Sequence, residues 1–364
     1  MRPDLPRPSA LRTGLLRAEA ALDGFGEWWR DTTGRRSEGT LSPHAGYVHG
    51  DMARVLARAL EPQTPWTPVD GDSRLANLRG VGSLFRTAEI PNARVRLAGA
   101  EETIVRADAE GYVDEEVRVG PSTETVWDGV RGSLIADGRI TAVDPVALPV
   151  LRVGPDARFA VVSDIDDTVM QTGAENLARN LWTTFTGNPL TRHVYEHVPE
   201  LYRGLTFEGD AQRNPVFYLS SSPWNLYEMI REVVLRNGVP WGPIFLRDFG
   251  LDEAKFIKGT HGGHKEKNAL RLMRDFDGLP FLFIGDLGQA DAEIYAEVAR
   301  QRANQMAGVI LHQPSHRAHE DKRRHVQEIE GFGIPVIITA DYAEALRFAR
   351  EQGWIEKPTD RPAA

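Results

Sequence analysis

From residue 157 onward the chain repeats one texture. Short, unbroken apolar runs ("RFAVVSD", "PVFYLSS", "PFLFIGD", "GVILHQ", "IPVIITA") are separated by helical stretches such as "NLYEMIREVVLRNG", "KEKNALRLMRDF", "DAEIYAEVARQR" and "YAEALRFAREQGW". A strand with no polar alternation has both faces covered, and helices between such strands are long enough to carry the chain back across the sheet. The pattern therefore dictates an α/β fold with a parallel sheet between two helical layers. Sheets of this kind place their sites at the carboxyl ends of the strands. The first three runs end in Asp164, Ser220 and Asp286, so these residues are expected at strand tips that share a crevice.

At 364 residues the chain exceeds what one core usually organises, and two or three domains are expected. Leu11, Leu15, Ala18, Leu22, Phe25 and Trp29 trace one stripe of an amphipathic helix. Residues 1–68 thus read as a helical segment followed by a Pro-rich link. From 69 to 152, "ARVRLAG", "ETIVRADAEGYVDEEVRV" (two strands about a Glu110-Gly111 turn) and "ITAVDPVALPV" read as a small all-β sandwich. Residues 153–356 form the α/β domain, and 357–364 a frayed tail.

The net charge of −9 argues against a broad nucleic-acid surface. The chain has no cysteine, which excludes disulfides, thiolate nucleophiles and Cys-based zinc sites. No stretch approaches the roughly 20 apolar residues of a membrane span, and no secretory h-region opens the chain. The expectation is a cytoplasmic protein, with room for peripheral membrane contact through the N-terminal helix and its Trp28 and Trp29. Its oligomeric state is not legible.

"FAVVSDIDDTVMQTG" places Asp164, Asp166 and Asp167 directly behind an apolar strand. Carboxylates so close repel one another, and a hard cation such as Mg²⁺ relieves the repulsion with a few of them plus a substrate phosphate. A calcium loop counted from Asp164 fails, because Thr168 and Val169 fall where a ligand and the turn glycine belong. A helix cap explains one aspartate but not three. The remaining chemistry is covalent phosphoryl transfer, with Asp164 as nucleophile, Asp166 as general acid and base, and Thr168 holding the loop.

"DIDDT" resembles the first signature of the haloacid dehalogenase-like phosphohydrolases, and the rest of the chain supplies the others in order. "VFYLSSSPWNLY" offers Ser220 first, with Ser221 and Ser222 behind it, as phosphate ligands. "GTHGGHKEKNALRLM" offers Lys265, with Lys258 and Lys267 as rivals. "FLFIGDLGQADAEIY" offers Asp286 as metal ligand, and Asp291 as a ligand, either direct or acting through another ligand, or as a helix cap. "DIDDT", "SSSPWNLY", "HK" and "GDLGQADAEIY" together resemble one branch, the App1-like phosphatidate phosphatases, over about residues 157–355. The resemblance implies a Rossmann-like sheet with an inserted cap, Mg²⁺ held by Asp164, Asp166, Asp286 and Asp291, and phosphatidate as substrate. Leu287 stands where the family has Ser and Ala292 where it has Pro, so a hydrogen bond near the metal is expected to be missing.

The cap is expected over about 170–213, with Leu177, Leu181 and Phe185 as an apolar stripe and Arg179, Arg192 and His193 toward a phosphate or headgroup. Arg247 in "FLRDFG" is a further phosphate candidate. His312, His316 and His319 have helix-like spacing but sit in a charged segment, which reads as a solvated face rather than a zinc site. Two other readings stay open: a phosphatase of a soluble metabolite, and a noncatalytic phospho-aspartate switch or lipid-binding module.

Overall fold

The computed structural model describes residues 37–61, 89–136, 140–141, 144–170, 194–247, 263–313 and 320–356. The expected N-terminal helix, the Pro-rich link, residues 171–193 of the cap, Lys258, His316, His319 and the tail lie outside the described residues.

The first domain is built from β2 (Thr40–His49), β3 (Met52–Leu60), β4 (Arg94–Ala98), β5 (Glu102–Arg106), β6 (Tyr112–Arg118), β7 (Val126–Leu134) and β9 (Val146–Arg152). They form one sheet in the order β5-β4-β7-β9-β2-β3-β6, parallel only where β9 meets β2. A short parallel pair, β1 (Ser37–Glu38) with β8 (Ile140–Thr141), stands apart from it. The expected sandwich is thus corrected to a single sheet, and the turn explains why. β5 and β6 end the strand order on opposite sides, yet only residues 107–111 join them. Laid flat, the outer strands would sit about 29 Å apart at the usual strand spacing. The link reaches little more than about 20 Å. The sheet must therefore curl into a barrel-like form. The Glu110-Gly111 turn is where it was expected: Asp108 Oδ1 accepts from Glu110 N at 2.9 Å and Tyr112 N at 2.8 Å. Gly111 takes φ 77°, and a Cβ there would lie 2.6 Å from Ala59 O.

The boundary at residue 69 is also corrected, because the hairpin β2–β3 is integral to the barrel. "MARVLARAL" consists of strong helix formers, but all seven interior positions of the strand are buried. Its residues serve two cores. Val55 and Ala57 pack in the barrel, whereas Leu56, with Tyr47 of β2, joins the apolar cluster of the α/β domain.

That domain has six parallel strands: β10 (Ala160–Ser163), β13 (Val216–Pro223), β14 (Ile244–Arg247), β15 (Phe281–Asp286), β16 (Met306–His312) and β17 (Val336–Thr339). Their order is β14-β13-β10-β15-β16-β17. The chain winds outward from β10 in one direction and from β15 in the other. The topological switch, where such sheets open a crevice, lies between the tips of β10 and β15.

Alternate residues separate two cores. Val161, Tyr218, Leu246, Leu282 and Ile310 face α1 (Val198–Thr206), α2 (Tyr227–Arg236) and α6 (Tyr342–Glu351). Val162, Phe217, Phe245, Phe283 and Leu311 face α3 (Gly263–Asp275), α4 (Asp291–Arg302) and α5 (Glu320–Gly331). The parallel sheet with helices on both faces is as expected.

The cap is corrected in part. Val198, Leu201, Tyr202 and Leu205 of α1 make one fully buried stripe within the first core, so residues 198–206 are a core helix, not a lid. The hairpin β11 (Phe207–Glu208) and β12 (Ala211–Gln212) follows directly. No described helix is long and apolar enough to cross a membrane.

Tyr47 makes the two domains one folding unit. Its ring meets Phe217 and Phe245 edge-on, with centroids 5.6 and 6.2 Å away. Its hydroxyl donates to Asp275. Tyr47→Ala is expected to cost about 3–5 kcal/mol, in the range of aromatic truncations in cores. Barrel and α/β signals should still be lost in one transition, followed by fluorescence and far-UV circular dichroism in denaturant. Two separated transitions would contradict the shared core.

Candidate active site

The three aspartates that open the site leave the tip of β10 in different directions. Asp164 N is tied to β15 through Ile284 O at 2.9 Å, which fixes where the side chain emerges. Its carboxylate meets the α3 side: Lys265 Nζ lies 2.7 Å from Oδ1 as an ion pair. Thr168 Oγ1 donates to Oδ2 over 3.3 Å. Asp166 turns instead toward β13, where its Oδ2 accepts from Ser220 Oγ at 2.8 Å and Ser222 Oγ at 2.9 Å. Asp167 takes the left-handed region, φ 58°, which an aspartate tolerates better than most residues. Its main-chain oxygen lies 3.0 Å from His312 Nδ1. Repulsion is reduced by divergence before any cation is considered.

Lys265 is the pivot on the α3 side. Its ammonium bridges Asp164 and Asp291 Oδ1, each at 2.7 Å. Burial works against that charge, but the two carboxylates outweigh it and hold the Lys265 pKa above the ordinary lysine range. One ammonium cannot compensate two buried carboxylates. Burial first, then Asp291 and Asp166, push Asp164 well above the usual carboxylate range despite the lysine.

Of the roles expected for Asp291, the hydrogen bonds match the indirect one, behind Asp286. Oδ1 is taken by Lys265, and Oδ2 accepts from Asp286 N at 2.9 Å. The helix cap is Ala290, which makes no side-chain cap bond, and Asp291 is the first residue of α4. Gly285 makes this approach feasible: a Cβ there would lie 2.7 Å from Asp291 Oδ2 and 2.8 Å from Tyr295 Oη.

Asp286 is the residue that lacks a counterpart. It is 3% exposed, and its Oδ1 has no hydrogen-bond partner. Burial, with Asp291 and Asp167 adding, pushes its pKa up to about 7. A buried, orphaned carboxylate oxygen beside other acids is what a hard cation would satisfy. Among the described residues, the carboxylates of Asp164, Asp166 and Asp286 do not gather as three ligand groups within 4.8 Å; the set that does is His49, Glu116 and Asp275 at the domain junction. The strand tips still offer oxygen donors of the type Mg²⁺ takes, the carboxylates of Asp164 and Asp286 and the main-chain carbonyl of Asp166, and such an ion, which keeps several waters, would not need three carboxylates. The Asp166 carbonyl is oriented for this by Gln289, whose Nε2 donates to it at 2.8 Å. Lys322 of α5 holds that loop from outside by donating to Gly288 O and Gln289 O.

The other expected residues fall as follows. Thr168 is fully buried and bonded to Asp164, so it shapes the loop rather than facing a ligand. Ser222 is buried and Ser221 half-buried. Pro223 ends β13 in extended geometry and precedes one 3₁₀ turn, Trp224–Leu226, before α2 begins at Tyr227. Arg247 ends β14, half-buried. Burial, with Arg247 and Lys265 adding, lowers the pKa of the nearby His264 to about 4. Lys267 is exposed, leaving Lys265 the lysine within the site. Leu287 packs in the apolar cluster facing α3–α5, and its backbone N donates to His312 O at 2.8 Å.

His312 corrects the solvated-face reading. It is buried at the tip of β16, with its ring 4.2 Å from Tyr195 and 4.7 Å from Tyr342. Tyr342 Oη in turn donates to Thr168 O at 2.6 Å. Tyr202 of α1 meets Ser163 Oγ at 2.6 Å, and that hydroxyl donates to Asp164 O at 2.6 Å. These loop supports were not read from the sequence. Only an apolar strand ending in His312 could have marked one of them.

Two outcomes follow. Gly285→Ala should displace Asp291 and destabilise by about 1–3 kcal/mol through overpacking, read from denaturant midpoints. The raised pKa of Asp286 means the folded state keeps its proton to higher pH than the unfolded chain. Its contribution is therefore fully present below the ordinary carboxylate range and is lost as pH rises through about 7. Divalent cations need the ionised form, so the gain in melting temperature on adding Mg²⁺ should grow as pH rises through that window. An equal gain at both ends would remove Asp286 from the cation site.

Residues 159–313 match the family model described as phosphatidate phosphatase APP1, catalytic domain. The chain is 27% identical over 233 residues to phosphatidate phosphatase APP1 of Saccharomyces cerevisiae, covering 62% of this chain and 39% of that protein. It is 28% identical over 154 residues to an uncharacterized protein of Schizosaccharomyces pombe, covering 42% of this chain and 25% of that protein. The chain thus spans about two fifths of the length of the first of these relatives. The resemblance carried by the four motifs is matched by the family model: residues 159–313 are similar to that catalytic domain.

Proposed function

We propose that the chain is a Mg²⁺-dependent phosphomonoester hydrolase that works through an aspartyl-phosphate, with phosphatidate as substrate and diacylglycerol and phosphate as products. One observation carries the reading: Asp164 faces an ammonium, whereas Asp166, two residues on, faces the serine-bearing tip of β13. A phosphoryl group between those tips has a nucleophile on one side and a proton carrier on the other. The lipid assignment is supported by the name of the yeast relative and the match over residues 159–313.

An oxygen of Asp164 attacks phosphorus as the bond to the ester oxygen breaks. Asp166 gives its proton to that leaving oxygen, so the alcohol departs neutral. The acyl-phosphate is then attacked by water, which loses its proton to Asp166; the bond from Asp164 oxygen to phosphorus breaks, and inorganic phosphate leaves. Lys265 and the hydroxyls of Ser220, Ser221 and Ser222 hold the nonbridging oxygens, and Lys265 offsets negative charge as it develops. Arg247 lies at the β14 end of the same row of tips, suited to the outer phosphate or headgroup. A divalent cation held by Asp164, Asp286 and the Asp166 carbonyl would supply charge compensation for two acids that one lysine leaves in excess.

Asp164→Asn should abolish turnover. Asp166→Asn should lower kcat by about 10²- to 10⁴-fold with the fold intact, measured as phosphate release with Mg²⁺. A switch that only stores an acyl-phosphate would hardly respond to the second change. Chelation should stop turnover and Mg²⁺ restore it. Phosphatidate in mixed micelles should be hydrolysed in preference to soluble phosphomonoesters, and turnover of soluble esters alone would remove the lipid assignment.

A further inference from the structure

The second half of the "SSSPWNLY" motif is not used by the chemistry above. Ser220, Ser221 and Ser222 lie where the sheet stops holding β13 in register: Leu219 pairs with Phe245, and the next pair is Pro223 with Arg247. Four steps along β13 are matched by two along β14, so the serines bulge out of the ladder. A bulge that must present hydroxyls to phosphate needs its geometry fixed by something else. Asp166 holds it from one side.

The barrel holds it from the other. Trp224, one residue past the bulge, stacks on His44 of β2 with ring centroids 4.9 Å apart and planes 5° apart. Tyr112 of β6 covers Trp224 from 5.3 Å. Tyr227 Oη accepts from Ala45 N at 2.7 Å. Asn225 Oδ1 accepts from Arg58 Nη1 of β3 at 3.0 Å. Arg58 is 5% exposed, and its remaining donors are engaged within the barrel: Nε with Glu110 O at 3.2 Å and Nη2 with Glu89 Oε1 at 2.7 Å. Its guanidinium also lies 4.5 Å over the Tyr112 ring. An arginine fixed at three points and stacked has little freedom left, so it transmits the barrel's position to Asn225. His44 is buried and stays neutral beside Arg58, so the contact holds no competing charge.

We propose that the barrel hairpin is a working part of the active site, and that Arg58, acting through Asn225, is a positioning residue for the serine bulge that receives the phosphoryl group. The inference rests on the phosphatase reading above. Displacing a phosphate-holding loop by about 1 Å can cost up to roughly 100-fold in rate.

The test uses the full chain with p-nitrophenyl phosphate and Mg²⁺, and inorganic phosphate binding by calorimetry as a second readout. Arg58→Ala and Asn225→Ala should each lower kcat/KM by about 10- to 100-fold and weaken phosphate binding. The double variant should be no worse than Arg58→Ala alone, because that change already removes the bond to Asn225. Asn225→Asp, which keeps an acceptor for the guanidinium, should retain most activity. If Arg58→Ala fails to fold, the two half-buried Asn225 variants carry the test. Folded Asn225→Ala with wild-type kcat/KM and phosphate affinity overturns the proposal, as do losses that multiply in the double variant or an Asn225→Asp variant as impaired as Asn225→Ala. A wild-type chain that binds phosphate but hydrolyses neither p-nitrophenyl phosphate nor phosphatidate in mixed micelles defeats the phosphatase reading alone, and the variants' phosphate affinities still decide this one. A wild-type chain that does neither defeats both.

Discussion

One buried ammonium between two carboxylates governs this protein. Lys265 holds Asp164 and Asp291 together where the two halves of the sheet diverge, and nearly every feature of the crevice follows from the charge it fails to cancel. Asp164 is pushed toward its neutral form, Asp286 is left with an oxygen that nothing satisfies, and Asp166 is turned to a separate partner. A site with more carboxylates than one ammonium can offset, in a place water reaches poorly, is prepared for a cation and for a reaction in which an acid becomes an ester. It is poorly suited to being a mere structural junction, because buried acids without full compensation are costly.

The precision of that arrangement is supplied by groups without chemistry of their own. Tyr202, Tyr342 and His312 hold the loop after β10 by its main chain, so its side chains are free to face the crevice. Gly285 is small because Asp291 must come close. Gln289 and Lys322 fix the loop on the far side of Asp286. On the β13 side the sheet itself lapses, and a barrel from the other end of the sequence supplies the support. Tyr47 and Leu56 place barrel side chains in the α/β core, while Arg58 and His44 meet the strand tip. The division into two domains is one of topology more than of mechanics.

Much of the site was legible from residue order. Asp164, Ser220, Lys265 and Asp286 each follow or open a recognisable element, and a parallel sheet brings strand ends together regardless of the intervening length. What could not be read were the partners. Whether Asp291 binds directly, acts through another group or caps its helix was open in the sequence, because all three roles suit an acid just after a strand; its two engaged oxygens single out the indirect role. His312 looked solvated because its neighbours in sequence are charged, yet its neighbours in space are two tyrosines. Residues 198–206 looked like part of a lid because they sit inside a long insertion. Their apolar stripe belongs to the core.

The sequence by itself determined the α/β layering, the chemical character of the strand tips and the order of the four motifs, because hydrophobic periodicity and covalent order are local properties. Tertiary structure decided which acid faces which base, that β3 is a strand although most of its residues favour helices, and that Arg58 of the barrel meets Asn225, 167 positions further along the chain. Those outcomes depend on burial and on distances between remote segments, and neither exists until the chain has closed on itself.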